Sequence, residues 1–540
     1  MPPINPIIPG FAPDPSVALI DGTFYLVNST FHMFPGIPIY TSQDLTQLSL
    51  GRAVTSMSVL PNMPAIEGKF LSTGGLYAPT IRHHRASNTT YIVCTNIVDG
   101  DESSGGGGFN FILSTKSIHA GGPWSDPVYF KFPGIDPSLF FDDDSGKVYL
   151  HGSAGPIRMF EIDLATGSAA SPTRELWPGT GGVYPEGPHI YKKDGWFYLV
   201  IAEGGTESDR HMVTVARASS DSIWGPYESC PQNPVLTARG TGRYVNHLGH
   251  AELFQDAHGK WWGVCLGVRK RFDGDGKAAR YVLGRETFLT TVEWLDGEWP
   301  VIHDIDVNLV LPNGDNDGGQ TTTTTTTRSR AIGESDPSLG FLYIRDAILS
   351  NHVFSNDFKT VSLVPGKGDF SQWAEPITFV GKRQRQLEGS TSVSMSVTSR
   401  PPPYFSASAP DASGGHLEAG LAYFKDEYRH VRVFYDFFAS TITFEWVNKA
   451  KDVAKTVTHL VSVHDVCHLR VDYTETAYTF SYRLDDAENS VSFEAVDTLH
   501  MTGLDFVGPV IGVFAIGTVQ DSDDAAGKQF GVQFDNLVVE

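Results

Sequence analysis

The feature that most constrains the fold is a phrase written five times between residues 10 and 270. A turn of polar or glycine residues is followed by two or three aromatic or β-branched residues, then by small or polar ones. It runs "DGTFYLVNS" from Asp21, "NTTYIVCTN" from Asn88, "SGKVYLHGS" from Ser145, "DGWFYLVIA" from Asp194 and "HGKWWGVCL" from His258. Each is the second strand of a hairpin, reached through a tight turn. The strand before each turn repeats as well, in "PDPSVALI", "YAPTIRHH", "IDPSLFFD", "PEGPHIYK" and "GHAELFQD". Five such units predict a five-bladed β-propeller, with "GFNFILSTK" and "HMVTVARASS" as outer strands. A β-sandwich would need as many strands but would not repeat its hairpins at this period.

In a propeller the first strand of each blade lines the central channel and starts at one rim. The five rim positions then carry Asp14, Ala78, Asp136, Glu186 and His250. Four are ionisable, in a channel too narrow to hold them apart, where structural need alone would favour small or apolar residues. Prolines at 13, 15, 79, 137, 185 and 188 restrict the backbone around them. A sugar-binding propeller without catalysis would repeat one set of ligand-binding residues in every blade. These rim residues differ from blade to blade, which favours an enzyme.

At 540 residues the chain exceeds one ordinary core. The segment "NGDNDGGQTTTTTTTRSRAIGES" is poor in apolar residues and has the composition of a flexible linker. Beyond it, alternation resumes in "TSVSMSVTS", "HVRVFYDF", "STITFEWV" and "GPVIGVFAIG", the pattern of an antiparallel sandwich of jelly-roll type. The expected architecture is all-β: a catalytic propeller over 1–312, a linker over 313–335 and a concanavalin A-like β-sandwich over 336–540.

A net charge of −22 without a basic block argues against nucleic acid or anionic membranes as partners and suits a neutral substrate. Cys94, Cys230, Cys265 and Cys467 lack metal-ligand spacing, and three lie in apolar runs, so free buried thiols are expected. No uninterrupted apolar run reaches membrane length. "MPPINPIIPG" is not a signal peptide. Two placements stay open: extracellular with a leader absent from this chain, or cytoplasmic. Asn28 and Asn88 each head an N-glycosylation triplet.

Paired carboxylates beside a third acid and a histidine suit glycoside hydrolysis. One carboxylic acid protonates the leaving oxygen, while the other carboxylate activates water or attacks directly. The acid needs a raised pKa, and a neighbouring negative charge supplies it.

"NPIIPGFAPDPSV", "GIDPSLFFDDDSGKVYL", "YPEGPHIYKKDGWFYLVIAEGG" and "VLGRETFLTTVEW" together resemble glycoside hydrolase family 43, in its two-domain β-xylosidase/α-L-arabinofuranosidase branch. The resemblance implies an inverting hydrolase with Asp14 as general base, Glu186 as general acid and Asp136 tuning the acid. It implies a channel role for His250, beside a divalent cation in some relatives, substrate contact by Arg285, and sugar-pocket positions for Phe31 and Tyr77. No cofactor is required for the reaction. Two departures stand out: Tyr77 where xylosidases of the branch usually have tryptophan, and Val510 at the expected place of a capping phenylalanine. A smaller cap would admit a branched chain. The expected substrate is therefore a plant cell-wall polysaccharide or its oligosaccharides, with arabinofuranose release from arabinoxylan ahead of β-1,4-xylosidase action. A sucrose- or fructan-cleaving enzyme shares the two-domain plan, but its acids sit in other contexts than "APDPS" and "YPEGP".

Overall fold

The computed structural model describes residues 3–45, 49–52, 74–98, 107–273, 276, 279–311, 337–345, 347–372, 375–396, 416–461, 466–485, 487–503, 506–518 and 531–539. The proposed linker 313–335 lies outside these residues.

Five antiparallel sheets follow one another along the chain, each begun by one of the repeated hairpins. Their first strands are Ser16–Ile20, Gly75–His84, Ile135–Asp142, Glu186–Lys193 and Val245–Gln255. Consecutive first strands are neighbours, and the fifth returns to the first, closing a ring around the channel. "GFNFILSTK" and "HMVTVARASS" supply the third strands of blades two and four, Gly107–Thr115 and Met212–Ser219. The turns owe their form to Asp-Gly pairs. Asp21 and Gly22, like Asp194 and Gly195, have positive φ at both positions, as a two-residue hairpin turn demands. The second strand Trp196–Glu203 is buried along nearly its whole length because neighbouring blades cover both its faces.

The ring is also fastened by the segment before blade one. Ile8 bridges to Thr287 of blade five, and the Asn5 side chain donates to the Leu289 carbonyl at 2.8 Å while accepting from its N–H at 2.9 Å.

Two further sheets stack as a sandwich. One runs Phe379–Arg383, Val510–Thr518, His416–Asp426, Arg429–Asp436, Thr441–Asn448 and Val453–Leu460. The other includes Gly389–Ser396, Val466–Tyr473, Ala477–Leu484 and Val532–Val539. Their inward residues, among them Leu421, Val433, Phe444, Leu469 and Phe480, form one core. The sandwich and the propeller are sewn together. Tyr343–Ile344 pairs with Met33–Phe34 of the propeller, and Phe11 and Phe31 share an apolar cluster with Phe379, Phe424 and Phe514.

All four cysteines are free and buried. Among the described residues no helix is long and apolar enough to cross a membrane. The triplet at Asn28 is not usable in the folded chain: its side chain is fully buried and donates to Ala12, Pro13 and Thr287. Asn88 is exposed.

Candidate active site

Every blade begins on a left-handed residue. Asp14, Ala78, Asp136, Gly187 and His250 have φ of 52°, 33°, 54°, 57° and 46°. In blades two to five the pairing register breaks at the same place, as a bulge. Each bulge re-aims the residues at the head of its strand. Left-handed backbone at a non-glycine costs of order 1–3 kcal/mol, and such strain concentrates at functional positions. This periodicity corrects one rim assignment. The blade-four equivalent of Asp14 is Gly187, and Glu186 stands one residue earlier, at the position Tyr77 holds in blade two. Glu186 is accordingly nearer the opening. Its side chain is 17% exposed, against 7% for Asp14 and Asp136.

The structure brings the three carboxylates together around two histidines. His250 Nδ1 lies 3.9 Å from both Asp14 Oδ1 and Asp136 Oδ2. The Gly187 N–H donates to Asp136 Oδ2 at 3.0 Å, and Ser29 Oγ donates to Asp14 Oδ2 at 2.5 Å. Arg285 Nη1 reaches Asp14 Oδ1 at 3.2 Å and Thr206 Oγ1 at 2.9 Å. Glycine is required at blade four's head, since a Cβ on Gly187 would sit 2.8 Å from His250 Nδ1.

These surroundings separate the acids electrostatically. Burial, joined by the negative charges of Asp136 and Asp14, raises the Glu186 pKa well above the carboxylate range. Burial also lifts Asp136 to about 6, with His250 opposing the shift and Asp14 adding to it. His211 is pushed down to about 4, chiefly by burial, and is neutral near pH 7. Its Nδ1 lies 2.9 Å from the His247 carbonyl, which can only accept, so the proton sits on Nδ1. The bare Nε2 then faces Glu186 Oε1 at 3.9 Å. That pairing favours the protonated form of Glu186.

A hydrophobic wall completes the site. Phe31 and Tyr77 have ring centroids 4.8 Å apart, and Phe506 of the sandwich domain lies 5.5 Å from Phe31 and 6.1 Å from Tyr77. The Phe506 carbonyl accepts from Arg285 Nη2 at 3.0 Å, and the guanidinium lies over both phenylalanine rings. Tyr77 and Phe506 are half-buried, whereas Phe31 is buried behind them.

Val510 is not part of this wall, which corrects its assignment as the cap. It is 0% exposed within the strand Val510–Thr518, paired to Arg383 and Phe424. The aromatic cap exists, four residues earlier, as Phe506. Sequence reasoning missed Phe506, His211, Thr206 and Ser29. The "VNHLGHAEL" run offers one signal for His211, because Gly249 leaves the space its ring fills: a Cβ there would fall 2.0 Å from His211 Cε1.

The residues around His250 do not fit a divalent cation. The next layer of the channel is filled by the Arg82 guanidinium, and among the described residues no three His, Cys, Asp or Glu side chains are placed to hold a metal ion.

A closed ring of five sheets with clustered carboxylates at its mouth defines a class, the propeller glycosidases. Residues 3–300 match the model of glycosyl hydrolases family 43, and 360–532 match the β-xylosidase C-terminal concanavalin A-like domain. The chain belongs to glycosyl hydrolase family 43. It is 40% identical over 317 residues to a xylosidase/arabinosidase of Butyrivibrio fibrisolvens, covering 55% of this chain and 56% of that protein. It is also 40% identical over 302 residues to a non-reducing-end α-L-arabinofuranosidase of Bacteroides ovatus, covering 55% and 53%. The chain thus aligns with about half the length of these curated relatives. Among solved structures, the Bacteroides ovatus xyloglucan-locus protein GH43B superposes with a TM-score of 0.78 at 30% identity, covering 98% of both chains.

Proposed function

We propose that the chain is an inverting, exo-acting glycosidase that releases a terminal pentose from arabinoxylan- or xylan-derived saccharides. The observation that carries this reading is the asymmetry of the acids. Glu186 is held protonated beside a neutral histidine, while Asp14 is ion-paired to Arg285 across the same pocket. Glu186 gives its proton to the leaving oxygen, and Asp14 takes one from the attacking water. Asp136 keeps the Glu186 proton in place by its charge and aligns the strand through Gly187. Arg285 and His250 orient the base.

For the bond cut, we propose arabinofuranose release as the main activity. Support comes from Tyr77 in place of tryptophan and from the arabinofuranosidase named among the relatives. β-1,4-Xylosidase action is the competing reading, favoured by the Phe506 cap, which narrows the mouth. Extracellular placement belongs to the same proposal, because a polymeric substrate lies outside the cell. A glycan on exposed Asn88 would mark secretion.

The test is product analysis on branched arabinoxylan oligosaccharides alongside xylobiose, with the anomer read by proton NMR at early times. Inverted arabinose is expected. Retention of configuration would remove the mechanism, and a higher kcat/KM on xylobiose would transfer the main activity to xylose release.

A further inference from the structure

One layer below the catalytic rim, each blade sends a side chain towards the channel axis. Ser16, Ser138, His189 and Glu252 all stand two residues beyond the left-handed head of their strand. Blade two differs: its residue at that step is Thr80, and Arg82, two residues further along, supplies the charge. The Arg82 guanidinium reaches all four others. Nη1 donates to Glu252 Oε1 at 2.5 Å and to Ser16 Oγ at 3.4 Å, and Nη2 to His189 Nδ1 at 2.9 Å and Ser138 Oγ at 3.4 Å. One planar cation thus joins residues of all five blades, using the fork geometry that lysine lacks. His189, neutral because burial and Arg82 both lower its pKa, can accept from the guanidinium.

This layer supports the rim above it. The His189 and His250 rings meet edge-on with centroids 6.3 Å apart, and Ser16 and Glu252 also hold backbone N–H groups of Ile81 and Val17. His250 in turn faces Asp14 and Asp136. On the other side, Arg82 and Glu252 line a cavity of about 290 Å³ with His83, Phe140 and Tyr191, reached from the end of the channel opposite the catalytic mouth. The Arg82 side chain is 18% exposed there.

We infer that Arg82 is a positioning residue whose guanidinium serves as the channel's own axial cation, fixing His250 and through it Asp14 and Asp136 without a divalent ion. The inference rests on the catalytic reading of the rim, and thermal stability separates the two.

The open cavity makes chemical rescue a direct test. Arg82→Ala should lose kcat on the order of tenfold to a hundredfold with little change in KM, the penalty of a displaced catalytic constellation. Its Tm should fall. Guanidinium chloride at non-denaturing concentration should restore part of both kcat and Tm, while equal urea or sodium chloride should not. Arg82→Lys, which keeps the charge but not the fork, should fold and show an intermediate kcat. The wild-type protein should show the same kcat and Tm after chelation and after calcium is added. Wild-type kcat in Arg82→Lys, no response of Arg82→Ala to guanidinium, or a calcium-dependent wild-type Tm would each overturn the inference. A rescued Tm without a rescued kcat would overturn the positioning role. An active Asp14→Asn variant would instead remove the catalytic reading and leave the stability results to judge Arg82.

Discussion

At the scale of single residues, the three carboxylates respond to substitution in different ways. Asp14→Asn should lower kcat on every substrate, on the order of a hundredfold or more, because water must be deprotonated whatever the leaving group. Glu186→Gln should keep far more activity on nitrophenyl glycosides, whose leaving groups need little protonation, than on natural linkages. Equal losses on both substrates would reassign the residue. Asp136 carries a stability signature as well. Its folded pKa of about 6 lies above the ordinary 3.8, so the folded state holds its proton more tightly. Stability from this group is fully present below pH 3.8 and is lost as pH rises through about 6. Asp136→Asn should therefore be more stable than the parent at pH 7, by an amount on the order of 2–3 kcal/mol, with the gap closing in acid. The same substitution removes a negative charge beside Glu186, so the alkaline limb of its pH–rate profile should move to lower pH. Chemical denaturation at the two pH values and a pH–rate profile check both effects.

At the scale of elements, the acid depends on how its strand and the loop before it are held. Buried Glu203, at the end of the strand Trp196–Glu203, accepts from the Thr180 N–H and hydroxyl, the Gly182 N–H and the Thr214 hydroxyl. Glu203→Gln would turn a donor group towards these donors. The expected cost is about 2 kcal/mol in stability, with a fall in kcat as the loop 179–185 leading to Glu186 loosens. Urea melts and kcat on aryl pentosides measure both, and an unchanged melt would show that the loop is held otherwise. What the sequence made legible follows the same division. Hairpins were visible because Asp-Gly turns and paired strands are local, and Asp14 and Asp136 because Pro-Ser follows each. Gly187 was misaligned with Glu186 because only φ shows which residue is left-handed. His211 and Ser29 stayed hidden, since their partners lie on other blades or far along the chain and leave no periodic mark.

At the scale of the whole molecule, the sandwich supplies part of the pocket, and this is where sequence reasoning went astray. The choice of Val510 followed position within "DFVGPVIGVFA", whereas contact across a domain interface is fixed by tertiary packing. The loop before the strand Val510–Thr518 reaches over the propeller, and Phe506 enters it in two ways: its ring covers Phe31 and Tyr77, and its carbonyl anchors Arg285. Only the ring is removed in Phe506→Ala, so the Arg285 anchor should persist. Loss of the cover should let water reach the pocket and leave a small sugar less firmly held. KM for aryl arabinosides and aryl xylosides should rise several-fold, since a buried phenylalanine contributes about 3–5 kcal/mol on truncation in a core and less at a half-exposed site. A branched arabinoxylan chain, which makes further contacts outside the pocket, should lose less. The ratio of kcat/KM on branched polymer to that on small aryl glycosides should therefore rise in Phe506→Ala. An unchanged ratio would mean that the cap does not limit which chains approach, and the preference between arabinose and xylose would then rest on the Tyr77 wall.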